Sequence, residues 1–172
     1  IEAYIDGNLS ALGVEGKDLP LAHRDRIGKI IDHVSGRNRY VGYLISVASN
    51  SYKNLKIGLD CANGASWMIA KAVFDALGAQ TVIIGAEPDG LNVNNGCGST
   101  HVEKLCELVK EKHLDVGFAF DGDADRCIAV DENGKVVDGD AMMYVLANRL
   151  KSRGMLNDDT VVATVMSNSG FF

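Results

Sequence analysis

Proline is almost missing, 2 of 172 residues against 19 glycines. Turns in this chain are therefore made by glycine, which also lets main chain approach a ligand closely. No apolar run approaches the ~20 residues of a membrane span, and no charged-then-apolar leader opens the sequence, so no membrane partner is expected. A basic surplus is missing too. The formal net charge is -6, the opposite of a nucleic-acid footprint, so no nucleic-acid partner is expected either. The four cysteines, Cys61, Cys97, Cys106 and Cys127, form no CxxC pair. Neither a zinc site nor a disulfide framework is indicated, and reduced, mostly buried thiols in a cytoplasmic protein are the expectation.

What is present is ordinary for a globular chain: 47% hydrophobic and 23% charged residues, at a length of one domain and a little more. There is no internal repeat or low-complexity segment. The chain opens on Ile1 rather than Met and closes on the apolar Phe171-Phe172, so a piece of something longer is expected.

Up to about Ser35 the sequence is polar and mixed, with Pro20, and reads as a connector with some helix. Tyr40, Tyr43, Leu44 and Val47 fall at helical spacing within Arg37–Ser49. Strands and helices then alternate. Lys56–Cys61 is a period-two strand, Ala65–Leu77 a helix closed by Gly78, and Gln80–Ile84 a β-branched strand. Thr100 and Glu103 have the spacing of a capping box before a helix His101–His113. Asp115–Phe120 is a strand without polar interruption, as expected when both sheet faces are covered. Cys127–Asp131 and Lys135–Val137 flank an Asn-Gly hairpin. Gly139–Arg153 is a helix, and Thr160–Met166 one more strand. The pattern predicts an α/β fold, a three-layer α/β/α domain with a mixed, mostly parallel sheet.

The most informative stretch is Phe118-Ala119-Phe120-Asp121-Gly122-Asp123-Ala124-Asp125-Arg126. It leaves a buried strand and at once presents three carboxylates at alternate positions. Asp121, Asp123 and Asp125 would repel one another unless a cation sat among them. Gly122 and Ala124 are small enough for the loop to curl, and all-oxygen ligation selects Mg2+, Mn2+ or Ca2+ over zinc. Ligands of α/β sheets also bind beyond the carboxyl ends of strands. An EF-hand is excluded although Glu132 falls at its twelfth position, because Arg126 stands where that loop needs glycine and the flanks are strands. Three carboxylates fill half of an octahedral Mg2+ shell and leave room for waters or a phosphate oxygen. Arg126 is suited to hold a phosphate bidentately, ahead of a role as internal counter-ion. Metal-assisted phosphoryl transfer is the chemistry this points to.

Asp121–Arg126 resembles the Asp-Gly-Asp-Ala-Asp-Arg metal loop of the α-D-phosphohexomutases. Asp60-Cys61-Ala62-Asn63-Gly64-Ala65, Pro88-Asp89-Gly90, Gly96-Cys97-Gly98-Ser99-Thr100, Val137-Asp138-Gly139-Asp140 and Met166-Ser167-Asn168 resemble the bacterial phosphoglucosamine mutase family within that group. The resemblance implies an isomerase of carbohydrate metabolism, interconverting glucosamine 6-phosphate and glucosamine 1-phosphate on the route to peptidoglycan precursors. It implies a phosphoserine and a bisphosphate intermediate. Mg2+ would be held by Asp121, Asp123, Asp125 and the serine phosphate, with Arg126 beside that phosphate as the catalytic residue. The partner is then a phosphosugar substrate, glucosamine phosphate.

The family's Ser-His-Asn nucleophile loop, Gly-Glu-x-Ser-Gly-His sugar loop and Ser-Gly-Thr phosphate loop do not occur in this sequence. The chain is thus expected to hold residues 1–36 as the tail of domain one and a connector, 37–138 as metal-binding domain two, and 139–172 as the truncated start of domain three. Alone it is expected to be inactive. Ser99-Thr100-His101 is read as loop and cap, Asp138 and Asp140 as turn and helix cap, Asn63-Gly64-Ala65 as a strand-to-helix turn, and His23, His33 and His113 as surface residues. A homodimer is expected through the edge of the Thr160–Met166 strand. A sister phosphomannomutase or phosphoglucomutase, and a non-enzymatic metal-binding module, are the alternatives.

Overall fold

A computed structural model of the chain describes residues 2–8, 13 and 22–171. Pro20 of the expected connector and the terminal Ile1 and Phe172 lie outside the described residues. The chain divides into two compact units, residues 1–34 and 35–172. Among its described residues the first contains a short helix α1 (Glu2–Ile5) and a 3-10 turn at Arg24–Arg26. The second carries the sheet and opens with α2 (Val34–Val47), which begins in the last residue of the first unit.

The second unit runs β1 (Lys56–Asp60), α3 (Ala70–Ala76), β2 (Gln80–Ile84), α4 (Glu103–Lys112), β3 (Val116–Phe120), β4 (Cys127–Asp131), β5 (Val136–Val137) and α5 (Gly139–Ser152). The strand order is β2-β1-β3-β4-β5. β1 pairs in parallel with β2 and β3, while β3–β4 and β4–β5 are antiparallel. The sheet is mixed as expected, but evenly so rather than mostly parallel. The loop 121–126 is too short for the crossover that a parallel partner requires, so β4 must return antiparallel.

Alternation along the strands feeds two cores. Ile57 and Leu59 face one side with Ala70 of α3, and Phe74, Phe118 and Phe120 pack against them. The rings of Tyr52, Phe74 and Phe118 follow one another at centroid distances of 6.0 and 5.9 Å. On the other side Ala119 and Val130 meet Leu105 and Val109 of α4. Glycines at 58 and 117 let α4 come down onto the strands: a Cβ there would lie 3.0 Å from Leu105 Cδ1 and 2.9 Å from Val109 Cγ2, respectively. Helix, sheet and helix make the three expected layers.

Several boundaries differ from the sequence expectation for local reasons. Residues 65–69 form turns rather than the start of α3, because the Ala65 N–H is given to Gly122 O at 2.8 Å and Ile69 N–H reaches back only to Ser66 O at 2.9 Å. The capping box does not form: α4 starts at Glu103 behind Val102, with no side-chain cap. With Val102 at the cap position, Thr100 lies outside the helix and Glu103 is its first residue rather than its third, so the two cannot pair as a capping box. The Asn133-Gly134 hairpin is a three-residue loop in which Gly134 takes φ +70° and Asp131 Oδ1 accepts from the N–H groups of Asn133 and Lys135. Asp138 caps α5, its side chain accepting from Ala141 N–H at 2.9 Å. All four cysteines are free, Cys61 and Cys97 buried, and burial pushes the Cys127 thiol up to about 11.

Thr160–Met166 is not a strand. Val162, Val165 and Met166 are 86%, 100% and 87% exposed, and the segment pairs with no strand of the sheet. A β-branched run supplies the propensity, but a strand exists only in a ladder. The strand edge on which pairing between copies was expected is therefore not presented. No helix among the described residues is long and apolar enough to cross a membrane.

Candidate metal centre

The motif stretches 60–65, 96–100 and 121–126, far apart in sequence, meet beyond the carboxyl ends of β1 and β3. β3 delivers Asp121, 4% exposed, straight from its last residue Phe120. The loop then folds back on itself: Asp121 N–H donates to Arg126 O at 3.3 Å and Ala124 N–H to Asp121 O at 3.1 Å, with Ala124 left-handed at φ +62°. One oxygen from each of Asp121, Asp123 and Asp125 lies within 4.8 Å of the others. Asp123 and Asp125 are exposed. The chemistry of this donor set, three converging carboxylates and no sulfur or nitrogen, fits a hard divalent cation.

Arg126 is brought onto Asp121. Its N–H donates to Asp121 Oδ1 at 3.1 Å and its Nε to Oδ2 at 2.9 Å, and Nε also stands 3.6 Å from Asp125 Oδ1. The side chain nevertheless remains 75% exposed. The Arg126 backbone N–H, seconded by its guanidinium, holds the Asp121 carboxyl below the usual carboxylate range. Asp125 is pushed up by the negative charges of Asp123 and Asp121. The hydrogen bond and charge of Asp121 raise Arg126 in turn. One cation beside three carboxylates leaves the loop short of positive charge.

Neighbouring backbone braces this loop. Gly64 lies so close to Gly122 that a Cβ on residue 64 would run into the Gly122 carbonyl. On the other flank, a Cβ on residue 122 would meet Val93 Cγ2 at 2.6 Å. Asn63-Gly64-Ala65 is the strand-to-helix turn expected, pinned by Asn63 Oδ1 accepting from Glu87 N–H at 3.0 Å. Asp138 caps the helix as expected, but Asp140 does not: its side chain accepts from Asn168 N–H, 28 residues away, and so ties the start of α5 to a distant segment. His113 ends α4 in a left-handed conformation and is exposed, as is His23.

Two features escaped the sequence reading. Asp60 is a wholly buried carboxylate at the end of β1; an aspartate closing an otherwise apolar strand before a glycine turn was the available signal. The second is a cavity of about 510 Å3 between α2 and α3, lined by Tyr40, Leu44, Tyr52 and Phe74 and reaching Asp123 and Ala124 of the loop. Its lining includes Ser66, whose buried Oγ has no hydrogen-bond partner among the described residues.

The sequence matches the family model of phosphoglucomutase/phosphomannomutase alpha/beta/alpha domain II over residues 38–134 and that of domain III over residues 138–172. It is 53% identical over 172 residues, all of this chain and 37% of the relative, to a protein of Lachnoclostridium phytofermentans named phosphoglucosamine mutase. A protein of Brevibacillus brevis with the same name is 47% identical over 172 residues, again the whole chain, and 38% of the relative. The chain thus spans little more than a third of the length of these relatives. Among solved structures, a phosphoglucomutase/phosphomannomutase family protein from Burkholderia thailandensis superposes with a TM-score of 0.60 at 27% identity, covering 69% of this chain and 26% of that one. With four of its five strands and both sheet-covering helices inside the domain II match, this chain belongs to the phosphoglucomutase/phosphomannomutase family.

Proposed function

We propose that the chain is the metal-holding part of a phosphoglucosamine mutase, an isomerase that interconverts glucosamine 6-phosphate and glucosamine 1-phosphate through a phosphoserine and a bisphosphate intermediate. The observation that carries this reading is the convergence of Asp121, Asp123 and Asp125 within 4.8 Å at the end of β3. The names of relatives 53% and 47% identical over the whole chain support the sugar assignment.

In this proposal Asp121, Asp123 and Asp125 hold Mg2+. When bound, the ion neutralises phosphoryl charge and polarises the P–O bond. Asp121 is already fixed by Arg126, so the carboxylate that anchors the site loses little freedom on binding. Arg126 spends its Nε on Asp121 and keeps an exposed guanidinium beside the loop, where its remaining donors face a serine phosphate. That serine, with the sugar and phosphate loops, lies outside this sequence. Residues 1–36 belong to domain one and its connector, 37–138 to the metal domain and 139–172 to domain three, in a cytoplasmic enzyme. Self-association belongs to the same proposal, although the Thr160–Met166 strand edge expected to mediate it does not form. Light scattering reads it, and a strictly monomeric species at high concentration removes it.

Kinetics of the full-length enzyme on glucosamine, mannose and glucose phosphates test the sugar assignment. Preference for mannose or glucose phosphate would transfer the chain to a sister mutase, the reading favoured by the name of the matched family model. The isolated 172 residues should show no turnover in a coupled assay. Mg2+ titration with and without a phosphate mimic tests the site itself; binding indifferent to phosphate would make it a plain metal-binding module.

A further inference from the structure

We propose that Asp60 is a positioning residue for the metal loop, acting through two other loops; this rests on the metal reading above. Asp60 is completely buried at the end of β1. Its Oδ1 accepts from Ala62 N–H at 2.9 Å and its Oδ2 from Gly98 N–H at 2.8 Å, a partner 38 residues away in sequence. One carboxylate thereby ties loop 61–65 to loop 96–100.

Each of those loops then holds one side of Asp121. From the first, Ala65 N–H donates to Gly122 O at 2.8 Å; from the second, Ser99 N–H donates to Phe120 O at 2.9 Å. The two anchored carbonyls belong to the residues immediately before and after Asp121. The first loop also needs outside support for its shape. Ala62 and Asn63 are both left-handed, at φ +53° and +50°, a conformation non-glycine residues seldom adopt unless the surroundings enforce it. The Ala62 N–H bond to Asp60 and the Asn63 N–H bond to Gly85 O at 2.6 Å enforce it here. Gly85 packs so tightly on Asp60 Oδ1 that a Cβ there would clash, which fixes the carboxylate in turn. A charged acceptor suits the task, because charge-assisted bonds to backbone N–H groups are shorter and stronger than neutral ones. The hydrogen bonds of Asp60 go to backbone N–H groups of Ala62 and Gly98, not to Asp121, Asp123 or Asp125. Its effect passes through backbone.

The test compares Asp60→Ala, Asp60→Asn and Val109→Ala with the unaltered 172-residue chain, reading Mn2+ binding by electron paramagnetic resonance and unfolding by thermal denaturation. Val109→Ala weakens the core under α4 without touching these loops. Asp60→Ala should weaken Mn2+ affinity about tenfold, the low end of losses for groups that support metal ligands. Asp60→Asn, which keeps one acceptor, should lose less and remains informative if the alanine variant does not fold. Val109→Ala should lower the unfolding temperature yet leave affinity unchanged. If both Asp60 variants lose stability but bind Mn2+ as the unaltered chain does, Asp60 is only structural and the proposal is overturned.

Amide hydrogen exchange separates this failure from failure of the metal reading. Without any metal, Asp60→Asn should speed exchange at Ala65, Ser99 and Ala124. Unaltered protection there overturns the positioning role, whatever the metal result. A chain that shows the faster exchange but binds no Mn2+ in its unaltered form supports the positioning of the loop and refutes the metal reading instead.

Discussion

Helices α4 and α5 are made by opposite means. α4 has ten residues and no side-chain cap, yet Leu105 and Val109 on its inner face are fully buried against Gly58 and Gly117. α5 has fourteen residues and a formed cap at Asp138, yet buries none of them, leaving Tyr144, Val145 and Leu146 each about 60% exposed. Helices of such lengths are marginal alone in water, so tertiary burial decides their stability. The difference follows the two family matches: α4 lies in the domain II match and packs on the sheet that carries the metal loop, whereas α5 lies in the domain III match, and none of its residues is buried within this chain.

Paired truncations on the two helices should break the symmetry most strongly. Leu105→Ala should cost about 3 kcal/mol, the usual range for a buried leucine. Leu146→Ala, at an exposed site of α5, should stay within about 0.5 kcal/mol. Chemical denaturation measures both, and comparable losses would mean that α5 is packed after all. Gly64→Ala comes next. Its Cβ would meet rigid backbone at Gly122 rather than a pliable side chain, so a cost of about 1–3 kcal/mol is expected with displacement of the metal loop. Chemical shifts of Asp121–Arg126 would read that displacement, and an unmoved loop would contradict the close approach. On the α5 side, Asp138→Ala should remove about 1 kcal/mol of helix stability. Apart from the cap, that end is held by the Asn168 N–H bond to Asp140, so the loss should appear as faster amide exchange concentrated in α5. Global destabilisation of the sheet would show the two regions to be coupled.

The same division explains what could be read from sequence. The strands β1, β2 and β3 and the aspartate loop were legible because their signals are contiguous: apolar runs, glycine punctuation and three carboxylates within five residues. Thr160–Met166 misled because β-propensity is local while a ladder needs a neighbour. Thr100 and Glu103 misled as well. Their spacing suits a capping box, but the helix starts two residues later than the box requires, leaving Thr100 outside it and Glu103 at its first position. Asp60 was quoted within a motif, but its two bonds join loops that only the folded sheet brings together. The cavity beside α2 has no sequence signature at all, being the space that apolar faces fail to fill.

Charge crowding in the loop supplies the smallest effect. Asp121 has a lowered folded-state pKa, so its stabilising contribution is present above the ordinary carboxylate range and lost as pH falls through that lowered value. Asp125 is shifted upward by Asp123 and Asp121, and its sign is reversed. The folded chain binds its proton more readily than the unfolded one, so its ionisation opposes folding as pH rises through the raised value and continues to do so at neutral pH. Asp125→Asn removes that repulsion while keeping the shape. Without metal, the variant should therefore unfold at a slightly higher temperature than the parent near neutral pH, and the advantage should vanish on acidification, once Asp125 itself is protonated. With Mn2+ the order should invert, since the parent gains a ligand that the amide replaces poorly. Thermal unfolding at two pH values, with and without the ion, reads all four cases. A variant less stable than the parent without metal would show that Asp125 serves the fold through its salt contact with Arg126 rather than standing ready for a cation.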